Sequence, residues 1–333
     1  MSCVVCFGEL MLRLAPEGYR RFVQADSFEA SYGGGEANVA VSLANFGIES
    51  RYVTKLPSNE LGQAALNSLR HFGVDTRFIS RGGKRLGIYF VEKGASQRPS
   101  KVLYDRAGSA IAESELSDFD WDSIFNDKVQ WFHWTGITPA ISDKAALLCE
   151  AACKKAKEKG ITISCDLNYR KNLWPREKAK EVMTALCKYV DLCFANEEDA
   201  KDVFGISGKS FEDVAAQMAG QFGFSTVAIT NRQSLSANDN GWSAMLYQNA
   251  GDGAKAYWSK KYDIHIVDRV GAGDSFAAGI IYGRLQEWEA QKTLDFALAA
   301  SCLKHSIEGD YNMVSLAEVL ALAEGAGTGR IMR

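Results

Sequence analysis

From about Asn38 onward the chain alternates between helical and extended signals, and that alternation limits the possible folds more than any other feature. Val39 to Phe46 reads as helix, Ser50 to Val53 as extended and Gly62 to Phe72 again as helix. The rhythm continues with extended runs at Val129 to Trp134, Ile161 to Asp166, Leu192 to Ala195 and Thr226 to Thr230. Helices fall at Lys144 to Lys159, Glu177 to Cys187 and Phe211 to Phe222. Strands alternating with helices of this length predict an α/β fold, a doubly wound and mostly parallel sheet flanked by helices, with ligands bound beyond the carboxyl ends of the strands. Two stretches, 9–32 and 86–106, break the rhythm and look like half-buried strand pairs without helices. They predict a small β-sheet lid that covers the site or pairs with another subunit, within a single domain spanning 1–333.

The 333 residues, 47% hydrophobic and 24% charged, are enough to bury one large core. The net charge of −3 argues against nucleic acid as a partner, because binding a phosphate backbone needs a basic face. A bound polyphosphate must therefore come with a metal ion and meet a local positive potential. No apolar run reaches membrane-spanning length and the amino terminus lacks the basic start of a signal peptide, so no membrane partner and a cytoplasmic location are expected. Of the eight cysteines, Cys3 and Cys6 are three apart in a strand-like run and point to opposite faces, which rules out a shared metal while the strand persists. Cys149 and Cys153 lie one helical turn apart as a buried stripe, and the Gly325–Arg333 tail is expected to be loose.

The chemistry concentrates in Asp268-Arg269-Val270-Gly271-Ala272-Gly273-Asp274, followed by a small-residue helical stretch through Tyr282. Val270 to Gly273 can turn tightly with positive φ at its glycines, and the first amides of the following helix have no intrahelical partner. Such amides and the helix dipole together hold an anionic phosphoryl group. Gly271, Ala272 and Gly273 are thus candidate donors, and Asp274 in the first turn is the candidate base. The plain alternative is a cap that serves packing. The apolar run Ile264 to Val267 favours the first reading, because it gives the order strand, turn, helix. Other nucleotide motifs fail: Gly208-Lys209-Ser210 lacks the upstream P-loop glycine, which is Val203, and a dinucleotide fingerprint needs glycine where Phe276 stands. The HRD and DFG elements of protein kinases are missing.

The Asp268–Asp274 run resembles the second signature of the PfkB, or ribokinase-like, carbohydrate kinases, and Gly33-Gly34-Gly35-Glu36-Ala37-Asn38 is similar to their sugar-binding turn. The resemblance covers nearly the whole chain. It implies a ribokinase-like sheet with a β lid, and Asp274 taking the proton of a sugar hydroxyl while the γ-phosphoryl group of ATP moves onto that oxygen. Tyr104-Asp105-Arg106, Thr135-Gly136-Ile137-Thr138-Pro139-Ala140, Asp166-Leu167-Asn168-Tyr169-Arg170, Leu173-Trp174 and Gly309-Asp310-Tyr311-Asn312 are further similar to the subfamily acting on 2-keto-3-deoxygluconate. Guanidinium groups recognise carboxylates bidentately, and the resemblance implies Arg106 for a sugar acid and Arg170 for the sugar acid or the phosphate side, unless they form surface ion pairs. The resemblance also gives Gly34, Gly35, Asn38, Tyr89, Tyr104 and Asp310 to the substrate. Tyr89 is equally readable as a core aromatic and Asp310 as a turn residue.

For the nucleotide, the resemblance implies Asn168, Asn196, Thr230, Arg232 and Ser301, the last in an adenine wall that ends at His305, which alternatively caps a helix. Asn196-Glu197-Glu198-Asp199 is similar to the family's Asn-x-x-Glu motif, with Asp199 in place of glutamate. Asn196 and Asp199 would organise Mg²⁺ through water, or the acids simply favour a helix start. The implied reaction is phosphorylation of the 6-hydroxyl of 2-keto-3-deoxygluconate, with ATP and Mg²⁺. Alternatives are a neutral-sugar kinase (fructokinase or ribokinase) or a sugar-sensing protein without catalysis, and a homo-oligomer is expected.

Overall fold

The computed structural model describes residues 2–250 and 253–325. Its main sheet has nine strands. Six of them run parallel in the order Thr226–Ser234, Leu192–Ala195, Thr162–Asp166, Val129–Thr135, Cys3–Phe7 and Glu49–Val53. Beyond Thr226–Ser234 the sheet turns antiparallel, with Asp239–Ala250 paired to both Gly253–Trp258 and Tyr262–His265. The antiparallel part is absent from the sequence reading, because the segment 231–263 mixes polar and turn residues with its apolar ones. The strand before the glycine turn is likewise Tyr262–His265 and not Ile264 to Val267, since pairing with Asp239–Ala250 ends at His265.

Helices cover both faces, and Cys3–Phe7 shows why. Val4 and Cys6 join one core with the helices Gly35–Asn45, Ala272–Leu285 and Ala290–Lys304, while Cys3, Val5 and Phe7 join the other with Asp143–Glu158, Arg176–Cys187 and Phe211–Phe222. Cys3 and Cys6 therefore sit on opposite faces, and Cys149 and Cys153 are buried in the helix stripe. A separate four-stranded sheet, ordered Glu29–Gly33, Met11–Ala15, Gly87–Glu92, Lys101–Asp105, gathers the two stretches that broke the rhythm. Among the described residues no helix is long and apolar enough to cross a membrane. Residues 326–333 of the tail lie outside the described residues.

Candidate active site

The carboxyl ends of the parallel strands open into a cavity of about 400 Å³, which the small sheet walls with Met11, Tyr89, Val102 and Tyr104. Three of these strands deliver a polar residue just beyond their carboxyl ends: Glu9 after Cys3–Phe7, Asn168 after Thr162–Asp166, Asn196 after Leu192–Ala195. Opposite them the chain turns at Gly271, whose φ of 85° is the left-handed conformation glycine permits, and enters the helix Ala272–Leu285. A Cβ at Gly271 would lie 2.1 Å from the Asp310 carbonyl oxygen, so the turn is seated directly on the 310 loop. Gly273 is already helical, contrary to the expectation of positive φ at both glycines.

The amides of Gly271, Gly273 and Asp274 have no hydrogen-bond partner among the described residues, whereas that of Ala272 lies 3.4 Å from the Arg269 carbonyl. Gly271 and Gly273 line the cavity and Ala272 is buried behind them. The Asp274 carboxylate is half-buried in the first turn and lines the same cavity. Asn38 donates to its Oδ2 at 2.7 Å and accepts from the Gly34 amide at 3.4 Å, which ties the triple-glycine turn to the carboxylate. Glu36, fully enclosed beside it, accepts from the Thr135 amide and hydroxyl and from the Thr138 hydroxyl at 2.7–3.0 Å. That carboxylate locks the helix Gly35–Asn45 to the end of Val129–Thr135.

Burial pushes the pKa of Asp274 up to about 7; the Glu36 and Asp310 carboxylates add to the rise, while the Asn38 hydrogen bond and Arg170 oppose it. Asp199 is pushed up to about 6, again by burial, and Asp166 is raised by burial and by the charges of Asp199 and Asp274. A perturbed carboxylate in the same first helical turn as unbonded amides, lining one cavity with them, has the chemistry of a proton acceptor beside an anion site. Residues 1–316 match the pfkB family of carbohydrate kinases. The chain belongs to that family.

Two solved structures and one sequence relative show how close the likeness is. This pfkB kinase is 52% identical to a 2-dehydro-3-deoxygluconokinase from Thermotoga maritima, with a TM-score of 0.94 over 97% of this chain and 98% of the other. It is 34% identical to a pfkB family carbohydrate kinase from Listeria grayi, at TM-score 0.92 over 97% and 100%. A 2-dehydro-3-deoxygalactonokinase of Haloferax volcanii is 30% identical over 98% of both chains. The kinase has the ribokinase-like fold of these relatives.

Gly34, Gly35, Asn38, Tyr89, Tyr104, Arg106, Arg170 and Asp310, the residues expected to meet substrate, all line the cavity, but they differ in freedom. Arg170 is exposed, and among the described residues its one hydrogen bond runs to the neighbouring Tyr169 carbonyl at 3.3 Å. Arg106 is buried and donates twice to Glu9 Oε2, while Ser109 donates to Glu9 Oε1. Tyr89 is buried with its hydroxyl donated to Asp310, and Tyr104 stacks on it at 6.0 Å while remaining exposed.

Of the residues expected to meet nucleotide, Asn168, Asn196, Thr230 and Arg232 line the cavity, and the last three continue into an adjoining hollow of about 270 Å³ beside Asn231, Phe211 and Trp242. Ser301 does not reach either space. It is fully buried, accepting from Trp242 Nε1 at 3.0 Å and donating to the Ala272 carbonyl at 2.8 Å, so it supports the helix start from behind. His305 caps its helix, its ring Nδ1 paired with the Ser301 carbonyl. Asn196 and Asp199 bond each other, Nδ2 to Oδ2 at 2.9 Å and the Asp199 amide to Oδ1 at 2.7 Å. The sequence reading missed Glu9, Glu36 and Arg269. Arg269 lines the cavity, and burial, joined by the charge of Arg232, lowers its pKa. Its signal was its place inside the glycine run.

Proposed function

We propose that this kinase transfers the γ-phosphoryl group of ATP to the 6-hydroxyl of 2-keto-3-deoxy-D-gluconate, giving 2-keto-3-deoxy-6-phosphogluconate. One observation carries the reading: the Asp274 carboxylate, its pKa raised by burial, shares a cavity with unbonded turn amides and with the guanidinium of Arg170, which forms no salt bridge among the described residues. Asp274 takes the hydroxyl proton as the sugar oxygen bonds to phosphorus and the bond to the β–γ bridging oxygen breaks, releasing ADP. The Gly271 and Gly273 amides face the migrating group, and positioning with charge stabilisation is most of what such a transfer needs. Arg232 and Arg269 supply positive charge at the polyphosphate end, in a chain whose net charge is −3. The small sheet acts as a lid that excludes water, which would otherwise accept the phosphoryl group.

The carboxyl groups at this end also fit a hydrated Mg²⁺. Burial raises the pKa of Asp166 and Asp199, with neighbouring carboxylates adding to it at Asp166, by more than Arg170 lowers it, and a divalent ion would offset that. Among the described residues no three His, Cys, Asp or Glu side chains are grouped to ligate a metal directly, so Asp166 and Asp199, with Asn196 orienting the latter, would hold the ion through its waters. When bound, Mg²⁺ neutralises charge on the phosphates.

The engagement of Arg106 by Glu9 favours a second reading, a neutral-sugar kinase acting on fructose or ribose, because it leaves less free positive charge for a substrate carboxylate. Comparing kcat/KM for 2-keto-3-deoxygluconate, its galactonate epimer, fructose and ribose separates the readings. The proposal expects the gluconate acid to lead by at least about tenfold; preference for a neutral sugar overturns it, and binding without phosphorylated product means a sensor.

A further inference from the structure

We infer that Arg13 is a positioning residue for phosphoryl transfer, holding the turn that receives the phosphoryl group from the small sheet; the inference rests on the kinase reading above. Arg13 lies in the strand Met11–Ala15, is buried, and is not among the residues lining the cavity. Any effect it has on the reaction must pass through other side chains. Its guanidinium spans two carboxylates of the main body: Nη2 donates to Asp268 Oδ2 at 2.5 Å and Nη1 to Asp310 Oδ1 at 2.7 Å.

Both carboxylates border the turn. Asp268 Oδ1 accepts from the Val270 amide at 3.1 Å, fixing the entry to Gly271, and its Oδ2 also accepts from the Gly309 amide at 3.2 Å. Asp310 forms the wall on which Gly271 rests, its carbonyl so close that a side chain at Gly271 has no room. Tyr89, the register partner of Arg13 on the adjacent strand, donates to the other oxygen of Asp310. Buried Lys304, bonded to the Ile307 carbonyl at 2.8 Å, packs its stem near Gly271 and brings the local charges to two cations against two carboxylates. The small sheet thus grips the phosphoryl-transfer turn at its entry and its back through one planar fork, a geometry an ammonium group cannot reproduce.

Misplacing reacting groups by about 1 Å costs on the order of 100-fold in rate. Arg13→Lys and Arg13→Met are therefore expected to lower kcat about 10- to 100-fold while KM for the sugar acid and for ATP stays within roughly threefold, with lysine the milder change. Asp268→Asn added to Arg13→Met should cost little more, since the two act as one unit. Hydrogen exchange of the ligand-free protein supplies a readout independent of any sugar: peptides covering 268–274 should exchange faster in Arg13→Lys, with those covering 129–135 unchanged. Wild-type kcat and exchange in folded Arg13→Lys, or a change confined to KM, overturns the inference. If the wild-type protein phosphorylates none of the sugars, the function reading falls and the exchange measurement alone decides whether Arg13 holds the turn.

Discussion

Asn38 and Asp274 lie 236 residues apart in the chain, yet the Asn38 amide donates to the Asp274 carboxylate at 2.7 Å. This bond opposes the rise in the Asp274 pKa that burial causes. A base acts only when deprotonated, so kcat/KM should rise with pH through an acid limb near 7 and level off above it. Asn38→Ala removes a stabiliser of the charged form and should move that limb to higher pH, as should Arg170→Ala. A limb that stays in place in both variants would exclude Asp274 as the titrating group.

Asp274→Asn should lower kcat on the order of 10²–10⁴-fold with nucleotide affinity largely kept. The same variant should be more stable than wild type at pH 8. The folded-state pKa lies above the ordinary carboxylate value, so the folded protein holds its proton longer than the unfolded chain, and stability falls as pH rises from about 4 to 7. Asparagine escapes that loss. Thermal unfolding at pH 8 should show Asp274→Asn melting at least about 2 °C above wild type, the shift roughly 1 kcal/mol produces in a large domain, with the gap closing near pH 4.

Much of this was legible in the chain because local signals and tertiary demands coincide there. The parallel strands are short apolar runs spaced by amphipathic helices, and Asp274, the glycine turn and Asn38 sit in compact strings that need no distant partner to be noticed. The antiparallel edge was not legible, because Asp239–Ala250 becomes a strand through pairing on both sides and not through its own pattern. Glu9, Glu36 and Arg13 escaped for a related reason. Each is a charged residue whose role exists only because a partner 97 to 297 residues away meets it in the fold. Ser301 erred the other way: the family resemblance placed it in an adenine wall, whereas in the fold its hydroxyl faces the Ala272 carbonyl behind the helix start.

The two glycines of the turn should respond oppositely to alanine. At Gly271 a Cβ meets both an unfavourable φ and the Asp310 carbonyl, so Gly271→Ala should cost at least about 1–3 kcal/mol and most of the activity. Gly273 is helical with open space where a Cβ would go, so Gly273→Ala should melt at or above the wild-type temperature, alanine being favoured by up to about 1 kcal/mol in a helix. Its kcat should still fall, because the methyl group would stand at the cavity lining beside the phosphoryl path. A Gly271→Ala protein as stable as Gly273→Ala would contradict the seating of the turn on the 310 loop.

Arg106 and Arg170 both reach the cavity, and their partners predict a division of labour. Arg170 has no carboxylate partner within salt-bridge distance among the described residues, so Arg170→Ala should raise KM for the sugar acid well beyond its effect on a neutral ketose, with little change in melting temperature. Arg106→Ala instead strands the buried Glu9 carboxylate, a loss on the order of 3–5 kcal/mol for a broken buried pair. The excess beyond substrate binding is testable by neutralising the partner: Glu9→Gln in the Arg106→Ala background should recover most of the melting temperature, because a neutral amide is cheaper to bury than an unpaired charge. Recovery of stability without recovery of KM would assign Arg106 both tasks, holding Glu9 and facing the acid. Recovery of both would leave Arg170 as the residue that recognises the carboxylate, with Arg106 and Glu9 shaping the wall beside it.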